Sequence, residues 1–500
     1  MNLNTELLEG LPMYQGGLPS CQLYNAGGGL YDERKIDESI PMPIEDGSIM
    51  PVGAFKTLIN DLHKKYAGRW ERCPESILST KIFFNQRMLQ VRYEKATGKI
   101  RAFYMDDYVP VKEDRSSLLR SIIKTNAAEF LNYIDVLKAE GFEVIFENKL
   151  EDNLFYELQK DDRLIYGYFT KGDRTARFID DKVSCPINEF GYKTENIKGS
   201  TEVYQYALKQ SERVDGIVTD CGMLYIIKLS DGSLFVVDGG AYEQATDETV
   251  ATIYQFMKGL VAGDKIKIAC WFCTHAHADH MILFAKLLRL YHEDIELQRV
   301  MFNFPSSTYR VFEPQCYLTI NRINQYYPNV KYLKPHAGQS FMLSSAKFDI
   351  LQTHECHTAY GCNEMPEDFN DTSTVLKITF DDKVFLMLGD INKIGEAQLL
   401  KHYSEDTLKS DLVQAAHHLF NTLYYIYDIA DPEYILVPTR VESKTNHDKM
   451  KYARLVLTRT DDQVFFASDD GTHGFAVRDN KLTRIYHDIL RGGKYDGSDS

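Results

Sequence analysis

The chain has 500 residues, with 57 basic and 72 acidic side chains and a formal net charge of −15. That length exceeds one ordinary core and sets an expectation of two or three domains. An acidic balance with no long basic run argues against strong non-specific nucleic-acid binding, and no stretch approaches the roughly 18 apolar residues of a membrane span.

The first residues, "MNLNTELLEGLPMYQGG", lack a basic segment followed by an apolar one, so the cytoplasm is the expected location. Nine cysteines without regular spacing fit reduced thiols better than a disulfide framework. Residues 1–210 are expected to form a small α+β module of open role: recognition, cover or dimerisation. The glycines Gly27, Gly28 and Gly29 have neither phosphate-loop nor dinucleotide spacing and read as a turn. Strand-like runs "STKIFFNQRMLQVRYE" and "KIRAFYMDDYVPV" come next. A helix then follows with Phe130, Tyr133, Ile134, Leu137 and Phe142 at near-helical spacing and Gly141 as its stop. Three strand candidates, "EVIFEN", "LFYELQK" and "LIYGYFT", lead to a turn at Lys171 to Asp173. A polar crossing places a domain boundary near residue 210.

From about residue 216 the pattern changes. A hairpin with its turn at Ser230 to Ser233 ends at Asp238, Gly239 and Gly240. The helix "TVATIYQFMKGLV", the strand "KIKIACWFC", the segment "THAHADH" and the helix "HMILFAKLLRLY" follow. Cys270 and Cys273 form a CxxC, but on a strand residues three apart face opposite ways, so the pair reads as structural. Strands and helices alternate onward to "DQVFFAS" and "GFAVRD", a pattern of sheets covered by helices. Residues 211–490 are taken as this second domain and 491–500 as a polar tail.

The segment "THAHADH" carries the chemistry. Imidazoles and carboxylates are ligands for zinc and similar ions. His275 and His277, two apart on an extended segment, can grip one ion, and Asp279 and His280, beyond the turn into a helix, can address a second. Four ligands do not complete two sites. "KVFLMLGDIN" reads as a strand ending at Asp390, where a carboxylate can bridge two metals, and "SDLVQAAHHLF" as a strand ending at His417 and His418.

Taken together, HxHxDH and the later Asp and His resemble the metallo-β-lactamase superfamily, over about residues 215 to 480. "FNDTSTVLKITFDDKVFLMLGDIN" followed by "LVQAAHH" looks like the hydrolase domain of the competence protein ComEC and its stand-alone bacterial relatives, which carry N-x-x-S, then GD, then HHG. Phosphorylcholine esterases share similar features. The resemblance implies an α/β (α+β) chain built on an αββα sandwich and preceded by the smaller N-terminal module. It also implies two divalent metals, with zinc expected and manganese or iron as other options. His275 and His277 would then hold the first metal, Asp279 and His280 the second, with Asp390 as the bridge. His418 is the expected last ligand and His417 faces substrate, or the reverse. Asp238 would support the metal loop from behind.

Two departures stand out. The third His of the first metal has no clear counterpart; Asn370 or Asp371 line the site, or His354 does, or that position is open. "HHLF" stands where relatives have HHG, so Leu419 and Phe420 would narrow or shift the pocket. His336, His402, His447, His473 and His487 read as surface or core residues.

The expected reaction is hydrolysis. A water lowered in pKa between two metals attacks a phosphoryl or carbonyl centre as hydroxide, with Asp279 and His417 as the catalytic side chains and His417 as acid or anchor. A helix beginning near Asp279 would turn its positive end to the site and favour an anionic substrate. With the ComEC-like motifs, this favours a phosphoester or phosphodiester of small size over a lactone, thioester or β-lactam. The competing class is a metal-binding regulatory or scaffold protein without turnover.

Overall fold

A computed structural model of the chain describes residues 8, 10–25, 117–181, 200–208, 222–241, 244–305, 314–357, 369–419, 423, 425–439, 460, 462–467 and 471–485, with short strands between residues 41 and 107. The expectations for Gly27 to Gly29, Phe420, His447, His487 and the tail 491–500 fall outside these residues.

Helix α1, Ala127–Ala139, begins where the Asn126 side chain accepts from Glu129 N at 3.0 Å. Beyond its end, Gly141 takes φ +92, a conformation that favours glycine. A cap of this kind is worth about 1 kcal/mol. Each of the buried Phe130, Tyr133, Ile134 and Leu137 contributes roughly 1.5–3 kcal/mol, so packing decides this helix. They pack on Ile122, Leu158, Ile165 and Phe178 of an antiparallel six-stranded sheet.

That sheet runs in the order Leu18–Asn25, Ser117–Ile123, Thr175–Asp181, Arg163–Thr170, Asn153–Lys160, Glu143–Leu150. The first three of these strands were not expected from the sequence. Thr175–Asp181 is buried along its whole length although it carries Arg177, Asp180 and Asp181, and these charges hide the usual strand signal.

The remainder forms two face-to-face sheets. One has the order Lys331–Leu333, Arg299–Met301, Ile266–Phe272, Leu234–Asp238, Leu224–Lys228, Glu202–Gln205, His473–Arg478, Lys481–Ile485, with Ile295–Leu297 beside the third. The other runs Ser340–Leu343, Ala346–Gln352, Val375–Phe380, Lys383–Met387, Leu412–Gln414, Tyr434–Val437, Val464–Phe466. Glu202–Gln205, which precedes residue 211, pairs with Leu224–Lys228 and His473–Arg478.

Alternation along the strands explains the layering. Tyr225, Ile227, Phe235 and Val237 point between the sheets, whereas Leu224, Ile226, Leu234 and Val236 point outward. Both faces are buried, so these strands read as continuous apolar runs. Helices α2 (Asp247–Leu260), α3 (Ile282–Leu290) and α4 (Pro314–Tyr326) cover the first sheet. Helix α5, Lys393–His402, packs Leu399 on Leu386 and Val413 of the second. Cys270 faces inward and Cys273 outward, and burial pushes both thiols up.

The N-terminal sheet packs its second face, with Phe155, Tyr166 and Tyr168, onto the inner core of the sandwich. It meets the loop that joins the edge strands Lys331–Leu333 and Ser340–Leu343. Tyr166 Oη donates to the Ala337 carbonyl at 2.7 Å and Asn148 Nδ2 to the Gly338 carbonyl at 2.8 Å. Gly338 has φ +87, and a Cβ there would fall 1.9 Å from the Phe155 ring, so glycine is required twice over.

Candidate metal centre

The site forms where strands from both sheets end. Strand Leu234–Asp238 delivers Asp238, a buried carboxylate with φ +56. Its Oδ1 accepts from Thr274 N at 2.8 Å and its Oδ2 from Thr274 Oγ1 at 2.9 Å. His280 Nδ1 lies 2.7 Å from the same Oδ2. Donating Nδ1–H to that carboxylate leaves His280 Nε2 directed into the site. His418 is set the same way: Nδ1 reaches the Pro438 carbonyl at 3.1 Å and Nε2 turns inward.

Asp390 enters from the second sheet after Lys383–Met387. Its N–H donates to Ser373 Oγ at 3.0 Å, and Gln414 Nε2 donates to the Gly389 carbonyl at 3.0 Å, so the loop is held from both sides. Asp390 Oδ2 lies 3.1 Å from His280 Nε2, 3.4 Å from His418 Nε2 and 4.0 Å from His275 Nε2. Asp279 Oδ2 is 3.5 Å from His418 Nε2 and 3.9 Å from His280 Nε2. His275 Nε2 faces His277 Nδ1 at 3.0 Å. Two ligand triplets result: His275, His280 and Asp390, and Asp279, His280 and His418.

These residues fit a cation. Asp390 Oδ1 is buried without a hydrogen-bond partner. His280 Nε2 and His418 Nε2 face each other at 3.3 Å, and two neutral imidazoles that each donate through Nδ1 would oppose lone pair to lone pair there. The electrostatics agree. Burial alone would lower the pKa of His280, but Asp390, Asp238 and Asp279 outweigh it and push it well up. His418 rises to about 9 against its own burial, chiefly through Asp390. His275 is pushed well down by burial and by the neighbouring His280 and His277. The carboxylates thus draw positive charge into a buried space.

An αββα sandwich gathers these donors from both of its sheets at the strand ends. Solved structures similar to the chain include the metallo-β-lactamase fold protein YhfI from Bacillus subtilis, at 12% identity over 54% of this chain and 98% of that one, with a TM-score of 0.33. A diphosphatase of the PhnP family matches at 12% identity over 55% and 98%, with a TM-score of 0.32. CmlA, a diiron β-hydroxylase from Streptomyces venezuelae, matches at 14% identity over 58% and 54%, with a TM-score of 0.31. No protein-family model matches the sequence, and no curated protein matches it.

Several residues stand differently from the sequence expectation. The strand before the His pair ends at Gln414, and His417, His418 and Leu419 follow with φ of 48, 49 and 63. Three successive left-handed residues turn the two imidazoles apart. His418 joins the donor cluster, while His417 is held between Asn392 Oδ1, 3.2 Å from Nδ1, and Asn370 Nδ2, 3.3 Å from Nε2. Asn370 therefore stands against His417. The Asp371 carboxylate instead accepts from Asn392 N and Gly395 N, both at 2.7 Å, and caps α5. His354 is buried near Asn303 and Glu355, outside the two triplets, and burial pushes its pKa down to about 4.

The expected anion site at a helix start is also corrected. Asp279 belongs to a single 3-10 turn, Ala278–His280, and α3 begins only at Ile282. Its early amides are occupied: Leu283 N donates to the Gly240 carbonyl at 3.2 Å and Phe284 N to the Gly239 carbonyl at 2.8 Å. Those N–H groups cannot also hold a substrate anion.

Sequence reasoning missed Asn392, whose only local signal is its place two residues after Asp390. It also read His336 and His402 as ordinary. Both are buried: His336 lies between Glu355, 2.9 Å away, and Asp181, 3.4 Å away, and His402 lies 3.3 Å from Asp173. Their partners sit in distant segments, where spacing gives no sign of them.

Proposed function

We propose that the chain is a metal-dependent hydrolase of a phosphoester or phosphodiester of modest size. The observation that carries the hydrolase reading is the convergence of the buried His275, His280, Asp390 and His418 with the part-exposed Asp279, and with an orphaned carboxylate oxygen on Asp390. Two divalent cations held there, zinc expected and manganese or iron the alternatives, would supply Lewis acidity and lower the pKa of a water. His277 would complete the hold on the first with His275 and Asp390.

The chain's own residues divide the remaining work. Asp238 fixes the tautomer and orientation of His280. Asp279, about one third exposed, stands on the open side of the cluster, where a substrate enters. His417 stands outside the cluster with its ring fixed by two amides, and is the group assigned to the substrate's leaving side, to hold it or to pass a proton. With the amides of α3 occupied, the preference for a phosphorus centre rests on the ComEC-like N-x-x-S and GD segments. In this chain their Ser373 and Asp390 are joined by a hydrogen bond.

Metal analysis combined with bis-p-nitrophenyl phosphate, p-nitrophenyl phosphorylcholine and a lactone panel tests the reading. Bound metal, phosphodiester turnover and loss of at least about a hundredfold of that turnover in Asp279→Ala are expected. Turnover of lactones alone would transfer the assignment to carbonyl chemistry. Metal bound with no turnover would make the chain a metal-binding scaffold, and a protein that takes up no transition metal would defeat both.

A further inference from the structure

The N-terminal sheet meets the sandwich through buried charged groups, and these bear on two segments that lead to His417. Arg177 is fully buried. Its Nη2 donates to Asp173 Oδ2 at 2.6 Å and to the Cys356 carbonyl at 2.9 Å, and its Nη1 donates to Thr170 Oγ1 at 2.8 Å. Cys356 lies in the 3-10 turn His354–His357. The next residue, His357, donates from Nε2 to the Asp371 carbonyl at 2.7 Å, and Asn370 beside it touches His417.

Helix α5 makes the second connection. At its C-terminal end His402 Nε2 meets Asp173 Oδ2 at 3.3 Å, Asn153 Nδ2 donates to the His402 carbonyl at 2.8 Å, and Ser404 N donates to Glu151 at 2.7 Å. At its other end stands Asn392, which touches His417 Nδ1. Gln398, midway along α5, donates to the Cys356 carbonyl at 3.1 Å and ties the two segments together.

Each amide that grips His417 thus ends a segment whose far end the N-terminal sheet holds. We propose that this sheet is a positioning element for His417, acting through the turn His354–His357 and through α5. The catalytic consequence rests on the assignment of His417 to the substrate; the mechanical one does not. Arg177 and Asp173 are positioning residues, since neither belongs to the donor cluster. Buried charges suit the task because their partners cannot drift: a displaced Arg177 would take the guanidinium from the buried Asp173 carboxylate and leave the Cys356 carbonyl to Gln398 alone. A shift of about 1 Å at a reacting group can cost about a hundredfold in rate.

The test compares full-length wild type with Arg177→Met, Arg177→Lys and the milder Gln398→Ala. Hydrogen exchange is followed at residues 354–357, 369–372 and 417–419, with the core strand 266–272 as internal control. In Arg177→Met, exchange should rise about tenfold or more in all three segments and not in the control, with bound metal unchanged. On bis-p-nitrophenyl phosphate kcat should fall between about tenfold and a hundredfold while KM stays within about threefold, and Arg177→Lys should recover part of both effects. If Arg177→Met does not fold, Gln398→Ala decides on the same readouts. Faster exchange confined to 354–357, a uniform rise that includes the control, or an unchanged kcat would overturn the proposal. Should wild type cleave no phosphodiester, the hydrolase reading falls, and the exchange pattern alone decides for or against the positioning role.

Discussion

Leu419 shows how much one residue can reveal about the site. It stands where the resembling family has the glycine of HHG, and it keeps a left-handed φ of 63 that glycine would adopt freely. Relief of that strain in Leu419→Gly is worth about 1 kcal/mol. Its side chain, however, is buried with Ala415, Ile435, Val437, Val464 and Phe466, and removing a core leucine costs about 2–5 kcal/mol. Packing wins, so urea denaturation of Leu419→Gly should give a net loss of about 1–4 kcal/mol; a gain in stability would show that strain dominates. The leucine that looked like an intrusion into the pocket points into a core instead. Its direction could not be read from the sequence, because only the backbone turn shows which way the side chain leaves.

Among the elements, those defined by short-range patterns were the legible ones. The hairpin ending at Asp238, helices α1 and α2, and the strand before Asp390 all have uninterrupted apolar periodicity, and each forms near its expected place. Elements that carry interface charge were not legible: Thr175–Asp181 reads as polar until its partners are known. Helix α5 lies between these cases. It has a weak apolar face, and the Asp371 carboxylate, two dozen residues earlier, holds its first turn through Asn392 N and Gly395 N. Asp371→Ala should cost about 0.5–2 kcal/mol of stability, read by thermal or urea unfolding, and leave bound metal unchanged. Loss of metal in this variant would place Asp371 in the ligand set after all.

At the scale of the whole molecule, charge crosses between the two halves. Lys334 and His336 of the sandwich both pair with Asp181 of the N-terminal sheet, and Glu355 completes the cluster. Burial would lower the His336 pKa, but Glu355 and Asp181 raise it to about 9, from 6.5 for the free group. A raised folded pKa contributes stability that is fully present below about pH 6.5 and is lost as pH climbs through about 9. Unfolding free energy should therefore decline between those limits in wild type and decline less in His336→Gln. Equal slopes would mean that His336 does not carry the linkage. The charged cluster had no signature in the sequence, since Asp181 lies 153 residues before Lys334.

The fit of Gly338 against Phe155 extends this dependence to inheritance. Two halves that had been joined late, as separable parts, would be expected to touch through exposed and forgiving surfaces. Here a bare backbone on one half receives a ring from the other, and each half holds counter-charges for its neighbour. A change at such a contact is tolerated only when the opposite half changes with it. The halves are therefore expected to descend together, and a sandwich transplanted without its sheet would carry a socket with nothing to fill it.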